Sequence, residues 1–210
     1  MPRVTEQHTA ERRAQILAGA RSCFVAKGLH AASMRDICTA SGLSAGAVYH
    51  YFESKEAIAL ALAEELLGQQ VEALGALEQD PDPVAALTSL TDAMLSNLAQ
   101  LHRAGQTFGL RVQFLAEATH SEAYRRFVSE GLETVMAGLA VALRRAQAAG
   151  RVSPAVDAKA LAAALVALFQ GLILQLSVGV PTDVDQYADA VRALLSGLEI
   201  VLEREEIQCH

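Results

Sequence analysis

Hydrophobic positions recur at helical spacing along almost the whole chain, and nowhere with the strict alternation of a half-buried strand. Ile16, Leu17, Ala20 and Phe24 share one face of a predicted first helix, which Thr9 can cap and Gly28 ends. Ser33 can cap a short second helix that turns Met34, Ile37 and Cys38 inward, and Gly42 gives a flexible position before Leu43. Ser44 then offers a third cap, for a helix from Ala45 to about His50, with Val48 and Phe52 available to the core. A fourth helix is predicted from near Ser54 toward Gln79, stopping before Asp80-Pro81-Asp82-Pro83. Further helices are expected near 84–102, 106–118, 121–149, 155–178 and 184–206, between Gly and Pro punctuation. The pattern is that of an all-α chain with about nine helices.

Composition agrees with this reading. The 210 residues are 52% hydrophobic but only 5% aromatic, with no Trp, so the core must be built largely from Ala and Leu, both strong helix formers. The formal net charge of -7 argues against a uniformly basic surface, yet the charge is unevenly placed. Residues 1–55 hold seven Lys and Arg against four Asp and Glu, a net of +3; residues 56–210 hold ten against twenty, a net of -10. A polyanion is therefore expected at the first module. Three cysteines, Cys23, Cys38 and Cys209, form neither an even set nor a short-spaced metal motif, which suits a reducing, cytoplasmic compartment with no metal or other cofactor. No leader pattern stands at the N-terminus. Ala160 to Val180 contains 21 consecutive uncharged residues, long enough for a membrane span. Gln170, Gln175 and Ser177 within it fit better a helix buried on several sides in a bundle or subunit contact, so no membrane partner is expected.

The chemistry is concentrated between Ser33 and Phe52. Two short helices separated by a glycine-containing turn, after a longer amphipathic helix, describe a helix-turn-helix module that can place its second short helix in a DNA major groove. Ala45, Gly46 and Ala47 keep the exposed face of that helix short, so it can approach base edges and phosphates. Tyr49, His50 and Tyr51 bring hydrogen-bonding groups beside it, and Lys55 brings a positive charge. Successive helical residues differ by about 100° in direction, so not all three can face DNA. Tyr49 and His50 are expected outward, Phe52 in the core, and Tyr51 in either place.

Phe24, Gly28, Ser33, Ile37, Ala40, Gly42, Leu43, Ser44, Gly46, Val48, Tyr49, Tyr51, Phe52, Lys55 and Glu56, taken as an ordered set, resemble the DNA-binding domain of the TetR family of transcriptional regulators. The resemblance implies that Ser33 and Arg35 approach the phosphate backbone, and that Ser44, Ala45, Ala47, Tyr49 and His50 line the DNA-facing side. It also implies another phosphate contact from Lys55. Glu53 departs modestly from the pattern, where a neutral or basic side chain would suit DNA better. Residues 1–54 are thus expected to form the DNA-binding domain and residues 55–210 a helical effector-binding and dimerisation domain.

In the acidic body, Leu161, Leu165, Leu172 and Leu176 mark one apolar side of a helix, and Val191, Leu194, Leu195, Leu198 and Leu202 mark a second. Two such helices from each subunit could form a four-helix homodimer contact, as the family resemblance also implies, placing two recognition helices across a roughly palindromic double-stranded operator. Met94, Leu98, Phe108, Phe114, Tyr124, Phe127, Met136 and Phe169 are candidate linings for a small, partly apolar effector, with Arg111, Glu117 and Gln170 as polar candidates. An enzyme is disfavoured, since no phosphate loop, zinc-protease motif or nucleophile elbow occurs. The family resemblance implies a repressor released from its operator by the effector, and two alternatives to it stay open. One is a metal- or redox-responsive regulator of the same fold; the other is a helical interaction protein without DNA binding.

Overall fold

The computed structural model describes residues 6–79, 82–103 and 108–194. Among them there is no strand: the chain is all-α, with α1 (Glu6–Ala31), α2 (Met34–Ser41), α3 (Ala45–Tyr51), α4 (Lys55–Gln79), α5 (Pro83–Arg103), α6 (Gly109–Glu117), α7 (Glu122–Ala148) and α8 (Ala158–Ser177). Residues 184–194 are also helical (α9). Local chemistry sets most of these ends. Asp82 Oδ1 accepts from the Ala85 N–H at 3.1 Å, ahead of a proline at the first position of α5, where a missing N–H costs nothing. Asp157 Oδ1 accepts from the Ala160 N–H at 2.8 Å at the start of α8. The first helix does not simply end at Gly28: that residue adopts φ 83°, ψ 163°, kinking α1 before its last turn.

Two compact units are formed. The first comprises residues 1–67 and 109–128, the second residues 68–108 and 129–210. The first unit therefore holds the expected DNA-binding segment together with the first half of α4, α6 and the start of α7. Its core joins Ile16, Phe24, Ile37, Val48, Ile58 and Leu62 to Leu110, Phe114 and Tyr124. Each fully buried aliphatic or aromatic side chain among these stabilises the fold by about 1.5–3 kcal/mol. Gly19 lets α1 and α2 touch: a Cβ there would lie 2.7 Å from the Ser41 backbone nitrogen.

In the second unit, Ala140, Leu143, Ala158 and Ala162 form one core cluster, flanked by Leu161 and Leu165, and Leu74 with Ala142 forms another. Part of the expected subunit contact is used inside the chain. Leu172, Leu176 and Val191 are buried within their own chain, and Leu161 and Leu165 pack against the Ala140 cluster. The exposed side of α8 carries Ala160, Ala163, Ala164, Ala167, Leu168 and Leu174 instead, continuing to Val178, which is 66% exposed. Leu194 of α9 is also exposed, whereas Leu195, Leu198 and Leu202 lie outside the described residues. Of the described helices, α8 alone is long and apolar enough to cross a membrane.

Candidate nucleic-acid interface

The helix-turn-helix is held by paired caps. Ser33 Oγ accepts from the Asp36 N–H at 3.2 Å, while Asp36 Oδ2 accepts from the Ser33 N–H at 3.0 Å and from its hydroxyl at 2.8 Å. Lys27 Nζ donates to Asp36 Oδ1 at 2.6 Å. That bond above all, followed by the two from Ser33, holds the Asp36 carboxyl well below the ordinary carboxylate range. Gly42 closes α2 in the left-handed region (φ 68°), its N–H donating to Thr39 O at 3.2 Å while the Leu43 N–H donates to Cys38 O at 3.1 Å. Two residues later Ser44 Oγ accepts from the Ala47 N–H at 3.2 Å and starts α3.

The side chains of α3 divide as an interface helix requires. Val48 is fully buried and Phe52 is 4% exposed, while Ala45, Gly46 and His50 are exposed and Tyr49 is 53% exposed. Tyr51, which the sequence left between two places, is half-buried against the core and meets His50 edge-on, ring centroids 5.1 Å apart. A Cβ built at Gly46 would meet nothing within 4 Å. Arg35 is exposed, with no ion pair or hydrogen bond from its guanidinium among the described residues. The Ser33 and Ser44 hydroxyls are already committed to capping. Lys55 Nζ donates to the His30 carbonyl at 3.0 Å, which ties the start of α4 to the end of α1 and leaves two of its three donors.

Comparison with known proteins decides the family. A family model described as "Bacterial regulatory proteins, tetR family" matches residues 16–62, and one described as "BetI-type transcriptional repressor, C-terminal" matches residues 83–199. The chain belongs to the TetR family. The HTH-type transcriptional repressor Rv1474c of Mycobacterium tuberculosis is 30% identical over 182 residues, 85% of this chain and 89% of the relative. The HTH-type transcriptional regulator UidR of Escherichia coli K12 is 29% identical over 89% of this chain and 92% of its own length. The solved structure of Salmonella enterica GusR superposes with a TM-score of 0.73 at 27% identity, covering 94% of this chain and 99% of that one. The protein is a DNA-binding transcriptional regulator of TetR type, with its helix-turn-helix in residues 33–52.

The eleven effector candidates divide between the two units. Met94, Leu98, Phe108, Met136, Phe169 and Gln170 belong to the second unit; Arg111, Phe114, Glu117, Tyr124 and Phe127 belong to the first. Phe114, Tyr124 and Phe127 pack into the core shared with α1 to α4, so they serve as hydrophobic mortar under the DNA-binding helices. Phe114 and Tyr124 stack with centroids 6.1 Å apart. Burial, with the charges of Glu56 and Glu117, pushes the Tyr124 phenol up to about 12. Glu117 meets His30 Nε2 at 2.6 Å, and Gln113 Oε1 accepts from the Leu29 N–H at 2.8 Å beside the Gly28 kink. The Leu29–Gln113 bond spans 84 residues of sequence, so no local pattern shows it. Arg111 is half-buried, and loss of solvent lowers its pKa. Cys23 is buried in the same core, where burial pushes its thiol up and disfavours the reactive thiolate.

Proposed function

We propose that this TetR-family protein is a homodimeric repressor that binds a roughly palindromic operator through α3 and is released by a small, partly apolar effector. The observation that carries the proposal is the division of α3: Val48 and Phe52 anchor it, while Ala45, Gly46, Tyr49 and His50 stand open. Tyr49 and His50 are assigned to base edges or adjacent phosphates, Arg35 and Lys55 to phosphates, and Ser33 and Ser44 to holding the helix ends at the DNA. Residues 1–54 serve DNA in this reading, and residues 55–210 serve effector binding and dimerisation in the cytoplasm.

The exposed face of α8, together with Leu194, supports a two-helix contribution from each subunit to the dimer. Small residues there permit close helix approach, and an apolar stripe of this length is out of place in water. The second-unit candidates Met94, Leu98, Phe108, Met136, Phe169 and Gln170 are assigned to the effector. Release then requires an effector that binds the DNA-incompetent arrangement more tightly. Lys55, His30 and Glu117 tie α4, α1 and α6 to one another and offer the route.

Selection of DNA from a random pool with the purified protein, followed by mapping of the recovered sequence, tests this reading. Recovery of a two-fold related sequence bound by one dimer supports it; recovery of no common sequence rejects it in favour of a helical interaction protein. The redox alternative would return only if thiol oxidation, with Cys23 in the core, altered operator affinity without unfolding.

A further inference from the structure

An open cleft of about 520 Å³ runs between the beginning of α1 and the recognition helix, lined by His8, Arg12, Leu43, Gly46, Ala47, His50 and Tyr51. Among the described residues no carboxylate lines it. Arg12 Nη1 donates to Gln15 Oε1 at 2.8 Å, and Gln15 Nε2 in turn donates to the Ser41 carbonyl at 2.7 Å. The guanidinium is thereby braced through α1 against the end of α2, with one of its five N–H donors used and no acidic partner among the described residues. Its neighbour Arg13 points elsewhere, stacking 4.4 Å above the Phe52 ring. The residues matched to the family's DNA-binding model begin at 16, so His8 and Arg12 lie upstream of them.

We propose that this cleft seats one phosphate of the operator backbone, gripped by Arg12 and positioned by Gln15, next to the bases that α3 reads. The proposal rests on the DNA-binding reading above and adds to it a specific anion site. A planar guanidinium offers two parallel donors that match a phosphate, and bracing by Gln15 removes much of the side-chain freedom that binding would otherwise have to freeze. Gly46 and Ala47 on the opposite wall leave room for the sugar-phosphate chain. Because a phosphate carries no sequence information, Arg12 sets affinity and register for every operator variant equally.

The test uses the full-length dimer and the DNA it selects, with affinity measured across a salt series. Arg12→Ala is expected to weaken binding about tenfold at physiological salt and to reduce the slope of log K against log salt by about one. The loss should be equal on every single-base operator variant, with an unchanged melting temperature. Arg12→Lys restores the slope. Gln15→Ala keeps the charge, so it weakens binding about two- to threefold while the slope stays at the wild-type value. A wild-type slope and affinity in Arg12→Ala overturn the proposal, and Arg12→Gln repeats the measurement should the alanine variant unfold. A loss confined to one base position overturns it in favour of base readout. If wild-type protein shows no preference for any DNA, the repressor reading falls as well; if only the Arg12 slope is unchanged, the phosphate site falls alone.

Discussion

Replacing Gly46 with Ala should make the protein more stable and a worse DNA binder. Neither room nor backbone conformation requires glycine at this position. A Cβ would meet nothing within 4 Å, and Gly46 is not among the positive-φ glycines of the described residues, Gly28, Gly42, Gly150 and Gly179. In the first turn of α3, alanine restores about 0.5–1 kcal/mol by reducing the entropy of the unfolded chain. On the DNA side the added methyl stands on the open face of α3, where the proposed reading brings the helix backbone to the groove. Losing one close contact there costs about 1–3 kcal/mol, roughly five- to 150-fold in affinity. Urea or thermal unfolding reads the first effect, and titration of the selected operator at fixed salt reads the second. Stability gained with affinity unchanged would refute the placement of Gly46 at the DNA; stability lost would refute the open geometry around it.

Gly19→Ala should act in the opposite sense, destabilising the fold by about 1–3 kcal/mol in denaturant titrations, because the new Cβ would press on the Ser41 backbone. Asp36 has a folded pKa held below its unfolded value, so the stability it lends is present above about pH 4 and lost as pH falls further. Asp36→Asn should therefore lower the urea midpoint at pH 7 and flatten its decline toward pH 3. Ala167→Arg places a charge on the exposed face of α8 and should yield monomers in sedimentation, with operator affinity down roughly 100-fold because the two half-sites are no longer linked.

What could be read from the sequence was local. Ser33 with Asp36, Gly42 and Ser44 specify the ends of α2 and α3 through bonds spanning only a few residues, and those ends stand where the pattern put them. The chemistry of α3 was legible for the same reason: Val48 and Phe52 differ from Tyr49 and His50 in both polarity and helical direction. Contacts between distant segments were not legible. Nothing near Gly28 announces that Gln113 will accept from Leu29, or near His30 that Glu117 will meet it. The phase of α8 is hard to read for a different reason. That helix is apolar on nearly every side, so periodicity could not separate the leucines its own chain buries from the alanine face left open. For the aromatic residues of α6 and α7 the pattern does not separate two roles, because a ligand cavity and a helix-packing core ask for the same side chains.

The most direct test of the repressor account is equilibrium competition at physiological salt, in which a labelled selected operator bound by the purified protein is displaced by unlabelled matching or scrambled duplex. The account predicts that matching DNA competes at least about 10³-fold better, and that a duplex with one half-site removed loses most of that advantage. Equal competition by the scrambled duplex would contradict it.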